Sequence, residues 1–132
     1  MITPIPANFI GQVWPKVSHH VRSAIEYVES GFNEADILRL LDSRDMQLFV
    51  IGQYEGACVT QIVVYPQHKT CLIVALGGSG LNEWFDELMD TIEPWAKDQG
   101  CKFVEEFGRK GWARVGKARG YEQIYSVMRK SV

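Results

Sequence analysis

One segment in the second half of the chain most constrains the fold, because a wholly apolar run is followed by a glycine-rich break and a long amphipathic repeat. Residues 71–76 are all apolar, which is typical of a strand buried on both faces. From Leu81 to Ala96 the apolar residues recur at three- and four-residue spacing, which predicts a helix with one buried face. A strand is then predicted at Cys101–Phe107. This order predicts two parallel strands joined by a right-handed crossover.

Upstream of this unit, the pattern predicts one strand, two helices and three further strands. Asn8 is expected to cap the first helix, which Pro15 should break or kink near Trp14. Asn33 is expected to cap the second helix in a capping box with Asp36. The three strands before the long helix most simply form an antiparallel meander. The predicted strands are Ile2–Ile5, Gln47–Tyr54, Ala57–Tyr65 and Thr70–Leu76.

Downstream, a short helix is predicted at Trp112–Ala118 and a last strand at Tyr121–Arg129. The fold class is therefore α/β with a mixed sheet. At 132 residues the chain fits one domain, residues 1–132, large enough to bury a core.

Three segments resemble the GNAT (N-acetyltransferase-like) superfamily. Residues 95–102 are similar to the end of the family's cofactor helix and the start of the next strand, and residues 116–121 to its last helix and Gly-aromatic turn. Residues 108–114 are similar to a Gly-Arg-x-Gly-Trp pattern in small GNAT-like proteins of tailed bacteriophages. The resemblance implies the GNAT fold, in which the two parallel strands splay apart at their C-terminal ends.

The resemblance also implies an acetyl-CoA site, whose pyrophosphate binds backbone amides at the start of the long helix through an Arg/Gln-x-x-Gly-x-Gly/Ala motif. The nearest match keeps Gly78 and Gly80 around Ser79 but has Ala75 at the Arg/Gln position. Gly78, Ser79 and Gly80 are thus the candidate acetyl-CoA contacts. A plain strand-to-helix turn also explains these glycines, and we favour it.

Catalytic candidates implied by the resemblance are few. The family often uses a carboxylate base near the middle strands and a tyrosine acid on the last helix, but Gly116 stands at the tyrosine position. Glu105 and Glu106 are candidate bases, one on each side of the predicted strand, and Tyr121 is a candidate acid. A solvated or salt-bridged glutamate pair is the favoured alternative, and Tyr121 and Tyr125 are better explained as core aromatics.

Charge is unevenly distributed along the chain. The net charge is −2, but residues 102–132 hold 8 Lys/Arg against 3 Asp/Glu. We take Arg109, Lys110, Arg114 and Lys117 as a candidate surface for an anionic ligand or an acidic protein partner. A merely solvated face is the competing interpretation. The overall acidity argues against nucleic acid as the partner.

Other chemistries find little support. Cys58, Cys71 and Cys101 lack metal-ligand spacing and suggest buried hydrophobes of a reducing compartment, and no metal site is predicted. His19 and His20 are neighbours on a helix and point about 100° apart, so they are poorly placed to bind one metal ion together. Without a signal peptide or an apolar run of the roughly 20 residues that a membrane span needs, we expect a cytoplasmic protein, or a virion protein if a phage encodes it.

Two functions remain open. The first is a GNAT-fold binding or structural module with an eroded acetyl-CoA site, bound to protein partners, with a phage virion or head assembly as its most concrete setting. The second is an acetyl-CoA-dependent N-acetyltransferase with a divergent cleft.

Overall fold

The computed structural model describes residues 1–28, 30–107 and 110–132. Within these ranges it has five strands and four α-helices, with a 3-10 turn at Ala7–Phe9. In chain order the elements are β1 (Ile2–Ile5), α1 (Ile10–Val28), α2 (Glu34–Asp42), β2 (Gln47–Ile51), β3 (Gly56–Val64), β4 (Lys69–Gly78), α3 (Leu81–Asp98), β5 (Phe103–Glu106) and α4 (Lys110–Ala118).

The strands form one mixed sheet whose spatial order follows the sequence, β1-β2-β3-β4-β5. The first four strands are antiparallel to their neighbours, and β5 is parallel to β4. This confirms the predicted meander and the parallel pair around α3. The continuous apolar run of β4 is explained by its central place between two helical layers.

The first layer, α1 and α2, covers one face of the sheet with aliphatic side chains. Val17 and Val21 of α1 are fully buried and belong to one core cluster with Val59 and Ala75 of the sheet. The helix lies so close to β4 that a Cβ on Gly77 would clash with the carbonyl oxygen of His20. The absence of a side chain at Gly77 therefore permits this approach.

The second layer, α3 and α4, covers the opposite face and uses larger side chains. Trp84 and Leu88 are buried on α3, and Trp112 is buried on α4. Tyr121, which follows α4, packs against the same cluster. The predicted amphipathic face of α3 is thus the buried face.

Three of the local predictions concern residues at or near the start of a helix. The capping box of α2 is confirmed, because Asn33 accepts from the Asp36 amide at 2.8 Å and Asp36 accepts from the Asn33 amide at 3.0 Å. The prediction for Asn8 is wrong: it lies inside the 3-10 turn before α1. Pro15 does not break the helix, because α1 is continuous from Ile10 to Val28. Pro15 lies near the helix start, where it deprives only the Gly11 carbonyl of its usual donor.

The predicted last strand, Tyr121–Arg129, is not formed. Beyond Tyr121, every residue of this segment is exposed. Ile124 and Val127 are 62% and 71% exposed, and Tyr125 is exposed rather than in the core. An alternating pattern needs a sheet neighbour and a covering layer to become a buried strand, and the described chain supplies neither here.

Candidate functional site

The sheet opens where β4 and β5 part. Their pairing runs from Thr70↔Phe103 to Ile73↔Glu106, after which β5 ends while β4 continues to Gly78. The β3–β4 register shifts between Val59 and Thr60, which leaves Val74 as an extra residue just beyond the last β4–β5 pair. Such a bulge bends a strand locally. The pairing of the two strands thus stops before β4 ends, as the predicted parting requires, and α3 starts shortly after the end of β4.

The start of α3 is a glycine turn with an acidic first helical turn. Gly80 is the N-cap in the left-handed region, at φ 73°, and no side chain caps the helix. The amide of Ser79 donates to the Glu55 carbonyl at 3.3 Å, and the indole of Trp84 donates to the Ser79 carbonyl at 2.6 Å. A Cβ placed on Gly80 would lie 3.4 Å from a carboxylate oxygen of Glu83. The sequence candidates Gly78, Ser79 and Gly80 are therefore together at the opening, but beside a carboxylate.

Aromatic rings fill the space between α3 and α4. Trp112 lies 6.4 Å from Trp84 and 5.9 Å from Phe85, measured between ring centroids, and its side chain is buried. The two helices thus meet through an apolar contact directly behind the glycine turn.

Glu105 and Glu106 face opposite sides of β5, as predicted. Glu105 lines a shallow cavity of about 570 Å³ with Tyr65, His68 and Tyr125. Glu106 points to the second layer, where its Oε1 is 3.8 Å from the position of a Cβ on Gly116. Burial raises the pKa of Glu106, so this carboxyl holds its proton to higher pH than a solvated one. Glu106 is therefore half-buried, not part of a solvated pair.

Arg119 ties α4 to α3. Its guanidinium contacts Asp90 at 2.5 Å, Glu93 at 3.0 Å and Asp86 at 3.5 Å. The Tyr121 hydroxyl donates to Glu93 at 2.7 Å. Hydrogen bonds from Arg119 and Tyr121 lower the pKa of Glu93.

Burial, followed by the hydrogen bond to Glu93, raises the pKa of Tyr121 well above its ordinary value. The candidate acid Tyr121 is thus held in a structural network with Glu93 and Arg119.

This network was missed in the sequence, although a signal was present. Asp86, Asp90 and Glu93 follow one another at spacings of four and three on α3, which places them on one helix face. An acidic stripe of this kind indicates a basic partner, but its identity as Arg119 depends on the tertiary fold.

The predicted basic surface is only partly described. Arg114 and Lys117 are exposed on α4. Arg109 lies outside the described residues, and so does the side chain of Lys110, the first residue of the helix. The four residues thus remain a prediction as a binding surface.

The cysteines are buried or half-buried, and His20 contacts a neighbouring turn. Burial raises the pKa of Cys58 well above its ordinary value and that of Cys71 to about 12, so neither is poised as a nucleophile. Cys101 is half-buried. One ring nitrogen of His20 lies 2.8 Å from the Tyr54 carbonyl, which holds α1 against the β2–β3 turn. Among the described residues, none of the helices is long and apolar enough to cross a membrane.

Known proteins resemble the chain in structure only. No protein-family profile matches the sequence, and no curated protein matches it. A GCN5-related N-acetyltransferase from Ralstonia eutropha is similar at a TM-score of 0.72 and 12% identity, over 99% of this chain and 97% of that chain. An aminoglycoside acetyltransferase from an uncultured soil metagenomic sample is similar at a TM-score of 0.67 and 13% identity, over 100% of this chain and 96% of that chain. A predicted acetyltransferase from Clostridium acetobutylicum, solved with acetyl-CoA, is similar at a TM-score of 0.70 and 10% identity, over 99% of this chain and 95% of that chain. The chain therefore has the GNAT fold.

Proposed function

We propose that this chain is a GNAT-fold binding module whose acetyl-CoA site has eroded. The observation that carries the proposal is the carboxylate of Glu83 beside Gly80 at the start of α3. A helix N-terminus attracts phosphate through its free amides and its positive dipole end. Here Glu83 already balances that dipole, and the Ser79 amide is bonded to the Glu55 carbonyl. A pyrophosphate at this position would face a like charge.

Isothermal titration with acetyl-CoA and with CoA tests the eroded site. We expect a dissociation constant weaker than about 1 mM for the wild type, which corresponds to about −4 kcal/mol. Glu83→Gln should tighten binding, because it removes the repulsion without changing side-chain size. Asp98→Asn, which removes a carboxylate at the far end of the same helix, is the control and should not. A wild-type constant in the low micromolar range contradicts the proposal.

The alternative is an acetyl-CoA-dependent N-acetyltransferase, and one observation favours it. Glu106 is a half-buried carboxyl with a raised pKa at the point where β4 and β5 part. A carboxyl tuned in this way suits a general base. In that reaction the amine nitrogen attacks the thioester carbonyl carbon, Glu106 accepts the amine proton, and the carbon–sulfur bond breaks to release CoA.

Release of the CoA thiol separates the two functions. With acetyl-CoA and a panel of primary amines, the eroded module produces no thiol above the buffer rate. Steady release that falls about 100-fold in Glu106→Gln but not in Glu105→Gln establishes the alternative, since removing a general base costs about 10²–10⁴ in rate. Glu105 is the matched control because it is the same residue on the opposite face of β5.

The partner we propose for the module is a protein with an acidic surface, bound by Arg109, Lys110, Arg114 and Lys117. The support is the charge asymmetry of the chain together with the exposure of Arg114 and Lys117. A short poly-glutamate peptide is a suitable probe. Its binding should weaken in Arg114→Ala with Lys117→Ala and when salt rises from about 0.1 M to about 1 M. Unchanged binding in the folded variant removes these residues from the site.

A phage virion or head-assembly setting is the most concrete form of the proposal, and it rests on the resemblance of residues 108–114 alone. The host cytoplasm or the virion is then the location. Mass spectrometry of purified particles and assembly intermediates tests it, and absence of the chain from both contradicts it.

A further inference from the structure

The turn between β3 and β4 forms a cavity with β5 that the proposed function does not use. Tyr65 and His68 line it from the turn, Tyr125 lines it from the segment after α4, and Glu105 adds a carboxylate. Glu105 pairs with Leu72, whereas the glycine turn begins at the far end of β4, about 20 Å further along the strand. The cavity is therefore separate from the candidate acetyl-CoA site.

Ring contacts hold the aromatic walls of this cavity. The His68 ring lies 5.3 Å from that of Tyr65 and 5.0 Å from that of Phe103, measured between centroids. Tyr125 meets Phe107 edge-on at 6.5 Å. Tyr65 and Tyr125 nevertheless remain 47% and 52% exposed. Their rings are thus held by neighbours and still accessible to a ligand, which keeps the ordering cost of binding low.

The electrostatics of the cavity favour a cation. Glu105 is half-buried, and the ion pairs among the residues that the structure describes do not involve it. Burial and then the negative charge of Glu105 raise the pKa of Tyr125, so the carboxylate acts on this ring. The faces of aromatic rings carry negative partial charge as well. A cation in the cavity is therefore attracted by both the rings and the carboxylate.

A cation already lies on a ring at this edge of the sheet. The ammonium nitrogen of Lys102 is 5.4 Å from the centroid of Phe103, within the roughly 6 Å reach of a cation–π contact. In the cavity itself, three rings accompany a single carboxylate. A primary ammonium has three N–H groups that need acceptors when it leaves water, whereas a quaternary ammonium has none. The cavity therefore suits the quaternary group better.

We propose that this cavity binds a quaternary ammonium group, either that of a small molecule such as choline or that of a trimethylated lysine side chain. The rings of Tyr65, His68 and Tyr125 contact its methyl groups, and Glu105 supplies the opposite charge. Binding requires neither the acetyl-CoA site nor the basic surface, so its test is independent of the proposed function.

Titration with choline, followed by two-dimensional NMR, is the first test. We expect saturable shifts at the amides of residues 65–68 and of Glu105, with a dissociation constant of about 1 mM or tighter. The uncharged analogue of choline, in which a tert-butyl group replaces the trimethylammonium group, has the same shape. It should bind at least about tenfold more weakly, because only the cation is attracted by the ring faces and the carboxylate. No saturation by about 10 mM choline, or equal binding of the analogue, overturns the proposal.

Substitutions in the cavity are the second test. Tyr125→Leu keeps an apolar side chain but removes the ring, so it should weaken choline binding at least about fivefold, whereas Tyr125→Phe should bind like the wild type. Glu105→Gln should weaken binding and reduce its dependence on salt. Tyr54→Leu is the control, because Tyr54 is an exposed tyrosine on the β2–β3 turn, outside the cavity. Equal affinities of Tyr125→Leu and Tyr125→Phe overturn the proposal.

A short peptide that carries one trimethyl-lysine distinguishes the two sources of the cation. Binding at least about tenfold tighter than that of choline identifies a modified protein as the source, since residues beside the lysine then add contacts. Equal affinity of peptide and choline identifies a free small molecule. The same peptide with unmodified lysine should bind more weakly than the trimethylated one. If the two peptides bind equally, the cavity does not select a quaternary group and the proposal is overturned.

Discussion

The two helical layers cover the same sheet by different means. α1 lies on β4 through small and aliphatic residues, and at Gly77 the helix backbone touches the strand backbone. α3 and α4 contact the other face through Trp84, Phe85 and Trp112, and are tied to each other by Arg119. The first layer therefore packs on the sheet through backbone contact. The second layer packs through aromatic rings, and its two helices are joined by charged side chains.

This difference explains where a site can form. A layer in backbone contact with the sheet has no room for a ligand. The second layer packs on the sheet through large side chains, and on its side the pairing of β4 with β5 stops before β4 ends. The glycine turn, Glu83 and Glu106 all lie on this side.

The largest expected effect comes from the rings of the second layer. Trp84→Ala should lower the free energy of unfolding by about 3–5 kcal/mol, since it leaves a large cavity beside Trp112. Trp95→Ala should cost less, because Trp95 is only half-buried and meets Phe49 edge-on at 5.3 Å. Urea denaturation measures both. A loss below about 1 kcal/mol for Trp84→Ala would show that the rings do not carry the second layer.

Next is the backbone contact of the first layer. Gly77→Ala places a Cβ against the His20 carbonyl, so α1 or β4 must move. We expect a loss of about 1–3 kcal/mol, typical of overpacking. Gly11→Ala is the control, because nothing lies within 4 Å of its added Cβ. Equal denaturation midpoints for the two variants would mean that the layer is not closed at Gly77.

The ion pairs that Arg119 forms between α4 and α3 should contribute less to the free energy of unfolding than either of the contacts above. Arg119→Ala removes its bonds to Asp90 and Glu93, and we expect a loss of about 1–2 kcal/mol because the acidic partners are largely exposed. The loss should shrink at high salt. Arg114→Ala, at an exposed position on the same helix, is the control for lost charge. If both variants lose the same stability, Arg119 is not a specific tie.

The smallest effect concerns pH. Burial raises the pKa of Glu106 in the folded state, so the folded protein holds a proton that the unfolded chain has released. The free energy of unfolding should therefore fall as pH rises from the unfolded pKa through the folded one. Glu106→Gln should remove this fall and be more stable than the wild type at neutral pH. Urea denaturation between about pH 4 and pH 7 measures it, with Glu105→Gln as the control. A difference between wild type and Glu106→Gln that does not change with pH contradicts the assignment.

The sequence predicted those elements whose burial produces a regular spacing of apolar residues. The apolar spacing of α3 and the continuous apolar run of β4 each indicate which residues are buried. The capping box at Asn33 involves only four consecutive residues, so it too can be predicted locally. Tyr121–Arg129 alternates equally well whether its neighbour is present or absent, so the pattern alone could not place it. The contact of Arg119 with Glu93 joins residues 26 positions apart, and no local rule predicts such a pair.

The sequential order of the strands has a consequence for how the chain folds. β2, β3 and β4 join through short turns, so their hairpins close small loops and can form early. β1 must wait for residue 51, its partner at Ile2↔Ile51, and β5 must wait until α3 is complete. On the ribosome, the first four strands and the first layer can assemble before β5 is made. We expect Val59→Ala to slow refolding and Leu88→Ala mainly to speed unfolding, which stopped-flow kinetics can measure. We therefore expect the half of the molecule that is synthesised last to open first.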